Sequence, residues 1–206
     1  MMRYLLFLGL LFVYSHLQAQ DTLSYDQIRE AYYRSYQYEK VQDYENAIRA
    51  LLPVYEAYPR GYTVNLRLGW LYYLSGHYAN ALEHYSKAVQ MAPAAVEARL
   101  GYMLPLLAQG RYPEAEQVAY QILSTDYYNY YGNLRLTYTL RMQQKWELAE
   151  AVARKMLTLY PTDVSFLVEL GLIRAGVGAS EEARAIFRDV LILDPENETA
   201  RSYLQR

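Results

Sequence analysis

The side chains that ordinarily carry catalysis are scarce in this sequence and badly spaced for it. Three histidines occur, His16, His77 and His84, and there is no cysteine in 206 residues. His77 and His84 lie seven apart, with no carboxylate or third ligand at a metal spacing around them. They read as solvated surface histidines, and no metal site is expected. No glycine-rich phosphate loop, Gly-x-Ser-x-Gly elbow or His-Glu-x-x-His pair is present. The acids Glu181-Glu182 stand where a helix would begin, so they complement a helix dipole and do not form a catalytic pair. Asn197-Glu198-Thr199 fits the N-glycosylation acceptor rule, which matters only in a eukaryotic secretory route. What the chain has in quantity is tyrosine, 25 against 4 Phe and 2 Trp. Tyrosine and tryptophan offer broad contact area at low entropic cost, so the chemistry to look for is recognition. No enzyme activity and no cofactor are expected.

Charge narrows the partners. Twenty basic residues face 22 acidic ones, a net charge of −2, which leaves no basic excess to neutralise phosphates. Nucleic acid is therefore excluded as a partner. A chain that is 53% hydrophobic and 20% charged has the composition of a folded protein.

The first 19 residues read as an address. Arg3 precedes an unbroken apolar run from Tyr4 to Tyr14, and Ala19 closes the segment. A charged start, a short apolar centre and a small residue before the break make a secretory signal peptide, with cleavage expected after Ala19. The run is too short to span a bilayer, which takes roughly 20 apolar residues. Without cysteine there is neither a lipoprotein anchor nor a disulfide, so an exported chain must be held by its core or by neighbouring subunits. Loss of Arg3 leaves 19 basic residues against 22 acidic ones, a net charge of −3. The expected location is the periplasm or another part of the cell envelope, with no stable membrane span once the leader is removed.

The rest of the chain repeats at a fixed period. Ala47, Ala81, Ala115, Ala149 and Ala183 stand at equal intervals of 34. Three positions before each come Tyr44, Tyr78, Tyr112, Trp146 and Ser180, and two earlier again Gln42, Gly76, Gly110, Gln144 and Gly178. Twelve positions after each Ala stand Pro59, Pro93, Tyr127, Pro161 and Pro195. Glycine at a helix end permits a positive φ. A small alanine lets a neighbouring helix approach, and a proline just past a helix stops it. Apolar residues between these landmarks recur at three and four, so each copy is a pair of short helices. One pair cannot bury both its faces, and stacking completes the core. Pro53 and Pro105 fall inside helices and are expected to kink them.

These residues resemble the tetratricopeptide repeat, a helix–turn–helix unit of the same period. Residues 62–95 carry Leu68-Gly69, Tyr72, Gly76, Ala81, Tyr85, Ala88 and Pro93; residues 164–197 carry Leu170-Gly171, Gly178, Ala183, Phe187 and Pro195. In the copies 28–61, 96–129 and 130–163, Ser35, Met103 and Thr137 replace the glycine between paired helices. The resemblance implies an all-α fold, five repeats over 28–197 stacked into a right-handed α-solenoid. Residues 20–27 become a lead-in and residues 198–206 a short capping helix.

It also implies a binding groove lined by first helices, at repeat positions 2, 5, 9 and 12. Candidate groove residues are Tyr32, Tyr36, Trp70, Tyr73, Leu104, Tyr131, Tyr138 and Arg141, with Arg141, Arg29 and rim charges fixing a ligand's orientation. Tyr127, Tyr128 and Tyr130 replace the usual proline-containing junction and form a candidate edge patch. The Lys/Asn set with which some repeats of this type clamp a C-terminal carboxylate is missing. The expected function is a non-enzymatic interaction module binding an envelope protein or extended peptide. Two alternatives are a carbohydrate-binding module and a self-associating scaffold. In the second, a further copy of the chain would cover apolar surface at Leu170, Leu191 or Leu204.

Overall fold

The computed structural model describes residues 23–205, so the leader reading, which falls on residues 1–19, lies outside the described residues. Eleven helices and no strand occur among the described residues. First helices of successive copies are α1 Tyr25–Lys40, α3 Tyr62–Leu74, α5 Val96–Ala108, α7 Tyr130–Met142 and α9 Val164–Gly176. Second helices are α2 Tyr44–Ala57, α4 Tyr78–Met91, α6 Tyr112–Thr125, α8 Trp146–Leu159 and α10 Ser180–Leu193. A short α11, Glu198–Leu204, ends the described chain. Second helices start at the constant interval of the landmark alanines, as do first helices from α3 onward, so the sequence period is the structural period. The architecture is an all-α solenoid of helical hairpins.

The turn inside each hairpin shows why the landmarks hold. Gly76, Gly110 and Gly178 have φ of 77°, 67° and 81°, and Gln42 and Gln144 adopt 60° and 57°. The left-handed residue folds the chain back so that the next N–H reaches a carbonyl of the last helical turn. Asp43, His77, Arg111, Lys145 and Ala179 donate in this way to Tyr38, Tyr72, Leu106, Leu140 and Arg174, each at 2.9 Å. The five landmark alanines are fully buried, as close helix approach requires.

Two details depart from the sequence expectations. The first helix begins at Tyr25, inside the expected lead-in, because Ser24 forms a reciprocal cap with Gln27 at 3.2 and 2.7 Å. Helices α2 and α5 continue as helix through Pro53 and Pro105. The end of the solenoid does not expose Leu170, which is buried, and Leu191 and Leu204 are half-buried. Helix α11 covers that end, with Ala200 buried and the Tyr203 ring 4.7 Å from Phe187. The exposed apolar residues there are Ile192 and Leu193.

First helices lie side by side on one face, α3 against α5, α5 against α7, and α7 against α9. That face carries the candidate site.

Candidate functional site

Two hollows of about 400 Å³ each open on the first-helix face, one on either side of α5. The first is walled by Tyr32 and Tyr36 of α1, Leu66 and Trp70 of α3, and Glu97 and Leu104 of α5. Its floor is Tyr85, which reaches up from α4. The ring fits only because α5 has no side chain at Gly101, where a Cβ would stand 2.1 Å from it. Burial pushes the Tyr85 phenol well above its usual range, so this hydroxyl is a neutral fixed dipole.

One wall is locked by an internal network. Arg67 pairs with Glu39 at 2.5 Å, donates to Ser35 Oγ at 3.2 Å, and stacks its guanidinium 3.8 Å from the Tyr36 ring centre. Trp70 Nε1 donates to the other Glu39 oxygen at 2.6 Å. The indole edge is thereby spent inside the protein, and its ring face is what Trp70 offers outward. Tyr73 does not line the hollow. It lies behind Trp70, with ring centroids 5.7 Å apart, and leads on to Tyr78 at 6.1 Å.

The second hollow lies between α5, α7 and α9, walled by Leu107, Leu134, Tyr138 and Val168 with Arg135 and Glu169. Arg135 donates to the Leu100 carbonyl. Arg141 does not project as an orienting charge. It grips Glu169 with both its Nε and Nη2, at 2.7 and 3.3 Å, and the pair is 17% and 12% exposed. Its guanidinium also lies 5.2 Å from the Tyr138 ring, so it braces that wall. Arg29 stands apart from both hollows and pairs with Asp26 at the surface.

The edge cluster divides in two. Tyr127 and Tyr128 are exposed and packed edge-to-face at 4.9 Å, with the Lys155 ammonium 4.0 Å above the first ring. Burial against these rings lowers the Lys155 pKa. Tyr130 turns inward, donating to Asp163 at 3.0 Å and meeting Phe166 edge-on at 5.5 Å. It is a packing residue, because its place at the start of α7 aims it between copies. Tyr131 is 58% exposed, stands against Tyr130 at 5.1 Å, and lines neither hollow.

His84 corrects the reading of both histidines as surface residues. His77 is exposed, but His84 is buried, stacked on Tyr72 at 5.2 Å and edge-on to Tyr55 at 5.0 Å. Asn65 gives both amide protons to the Pro59 and Gly61 carbonyls, at 2.9 and 2.8 Å. Its Oδ1 is then an acceptor, 2.9 Å from His84 Nδ1, which fixes the tautomer with Nδ1 protonated. Burial, helped by the Lys87 charge, holds the His84 pKa down at about 4. Asn197 is likewise engaged, capping α11 through Ala200 N at 3.1 Å.

Two tetratricopeptide repeat family models match the sequence, one over residues 34–96 and one over 73–135. The chain is a tetratricopeptide-repeat protein. A tetratricopeptide repeat protein from Parabacteroides merdae is similar in structure, with a TM-score of 0.78 at 16% identity, over 87% of this chain and 71% of that one. MamA from Desulfovibrio magneticus RS-1 has a TM-score of 0.74 at 17% identity, over 84% of this chain and 98% of its own. A further MamA structure gives 0.71 at 19% identity, over 83% and 93%. At such identities the likeness is one of fold. No curated protein matches the sequence.

Within this tetratricopeptide-repeat protein, the residues that sequence reasoning missed share one repeat position. Arg67, Gly101, Arg135 and Glu169 recur at the repeat period, each one place past the expected fifth position. They supply most of the charge in the walls, and Gly101 together with Gly69 leaves the room that Tyr85 fills. Their signal was present as an Arg–Gly–Arg–Glu series at the sequence period. A helical turn of 100° per residue lets positions 5, 6 and 9 share one face, so position 6 belongs with the groove.

Proposed function

We propose that this tetratricopeptide-repeat protein is a non-enzymatic interaction module that holds an extended apolar segment of a partner protein across α5. The observation that carries the reading is the state of the wall charges. Arg67 is spent on Glu39 and Arg141 on Glu169, so what the two hollows offer is the faces of Tyr32, Trp70 and Tyr138 with Leu66, Leu104, Leu107 and Leu134. Hollows of this size, mostly apolar with a few placed polar groups, suit side chains of a bound segment. Leu104 lines one hollow and Leu107 the other, one turn apart on α5, so a single strand of peptide crosses between them.

The test is partner capture from envelope extract with residues 20–206 as bait, alongside Leu104→Arg/Tyr138→Ala. Trp70 is left intact because its N–H holds Glu39. A partner retained by the natural chain and lost by the variant, at unchanged helical circular dichroism, is the expected result. Retention by both would move the binding face to Tyr127, Tyr128 and Lys155.

The envelope location rests on residues 1–19 read as a cleaved leader. No described helix is long and apolar enough to cross a membrane. Fractionation followed by N-terminal sequencing checks the location. A chain starting at Gln20 in the envelope fraction is expected, and a cytoplasmic chain still starting at Met1 would end this part of the reading.

A further inference from the structure

Each first helix from α3 onward lies on the second helix of the copy before it, and α11 covers α10 at the far end of the stack. Among the described residues no helix precedes α1, so its outer face is unpartnered. The repeat register tells what that face has become. Val64, Leu68 and Leu71 of α3 are buried against α2, and Phe166, Leu170 and Ile173 of α9 pack with α8 in the same way. The same repeat positions in α1 are Glu30, Arg34 and Gln37, all three exposed. A further hydrophobic hairpin has nothing to bury here, and whatever meets this face must match its charges.

Those charges fall in a pattern. Leu23, Gln27, Glu30, Arg34, Gln37 and Val41 follow one another in steps of four and three, so they form one stripe along α1 and the residues that flank it. The stripe reads alike from either end, as an apolar residue, a glutamine and a charge, with the two charges opposite in sign. Glu30 and Arg34, Gln27 and Gln37, and Leu23 and Val41 are all centred on position 32. Neither Glu30 nor Arg34 makes an ion pair with a described residue, while Asp26 on the flank is taken by Arg29 at 3.2 Å. Gln27 spends its side-chain oxygen on Ser24 N and keeps its amide protons.

Apolar surface borders the stripe on both sides. A hollow of about 470 Å³ opens between α1 and α2, where Leu23, Ala31, Ala50, Pro53 and Val54 line it together with the charges of the stripe. On the opposite flank Tyr33 is 58% exposed, and Val41 at the end of the stripe is 72% exposed. A cap meant only for water has no use for these.

We propose that α1 is the interface of a symmetric dimer, in which it lies antiparallel against α1 of a second copy. A two-fold axis level with position 32 sets Glu30 opposite Arg34 twice, Gln27 opposite Gln37 twice and Leu23 opposite Val41 twice. The charges pair, each glutamine offers the other a donor or an acceptor, and the apolar ends meet each other. The second copy is the occupant because a two-fold contact requires the same surface on both partners, and this stripe is its own complement. At 100° per residue, Tyr32 and Tyr36 point to the other side of α1, so the dimer leaves the groove open and stands or falls apart from it.

The experiment measures molar mass by light scattering over a range of concentrations, on the protein as purified from cells. The mass is expected to rise from one chain to two and to stop there. Glu30→Arg alone, or Arg34→Glu alone, sets like charges opposite each other at both pairs and should weaken the dimer at least about tenfold. An equimolar mixture of the two variants restores opposite charges and should dimerise as the natural chain does, as should Glu30→Arg/Arg34→Glu. All the substituted positions are exposed, and unchanged helical circular dichroism shows that each variant is folded. One chain at every concentration, growth beyond two chains, or single variants that associate as tightly as the natural chain would overturn the proposal. A mixture that stays monomeric would overturn the antiparallel register on which it rests.

Discussion

The second and fourth copies carry the same two polar residues at the same two places, Asn65 and Arg67 in one, Asn133 and Arg135 in the other. Both asparagines do the same local job, donating to two carbonyls of the loop before their helix. Their distant partners differ. Asn65 Oδ1 meets His84, while Asn133 Oδ1 is buried with no partner, because Val152 stands where the register would place that histidine. Arg67 meets Glu39 of the preceding copy and Arg135 only a backbone carbonyl. A repeat position thus sets where a side chain points and what it can reach nearby. What it accomplishes depends on residues of other helices, and those are not repeated.

The largest expected consequence is in acid. The folded-state pKa of His84, about 4, lies below the ordinary 6.5, so the fold favours the neutral ring. Its stabilisation is complete above pH 6.5 and is lost as pH falls from there toward 4, about 3 kcal/mol in all. Denaturant unfolding across that window should show the loss, and His84→Val should flatten the slope there; the same slope in both would remove His84 as its cause. Next comes the arginine pair. Arg67→Met strands a half-buried Glu39 and should cost about 2–3 kcal/mol, discounted for Glu39's partial exposure. Arg135→Met gives up a carbonyl bond and should cost about 1 kcal/mol. Equal losses would mean that the two walls are equivalent after all. The smallest effect is a gain. Val152→His, measured at pH 8, should give Asn133 its missing donor and add about 1 kcal/mol. No gain would show that water already meets that acceptor.

Much of the architecture was legible because the code for it is local. A left-handed turn residue, a buried alanine and a helix-ending proline each act within a few residues, and five copies made each of them visible. The groove was legible in part. Of the candidate groove residues, Tyr32, Tyr36, Trp70, Leu104 and Tyr138 line the hollows. Tyr73, Tyr131 and Arg141 do not, and for Arg141 the reason is Glu169, on the first helix of the next copy. The edge patch failed at Tyr130 for a similar reason. Four tyrosines in close succession look alike along the chain, and only the packing of Phe166 and Asp163 beside one of them separates it from the rest.

Taken alone, the sequence determined the period, the helix pairs, the turns with positive φ and the all-α solenoid, since those follow from short-range sterics and hydrogen bonding repeated at a fixed interval. The tertiary structure alone decided which polar side chains are spent and which are left over. Arg67, Arg141 and Arg99 are the same residue type in the same kind of helix. One holds a carboxylate of the preceding copy, one a carboxylate of the next, and one holds nothing. Ion pairing and burial are set by distances across the stack, and a partner in another copy leaves no mark on the residue it will meet.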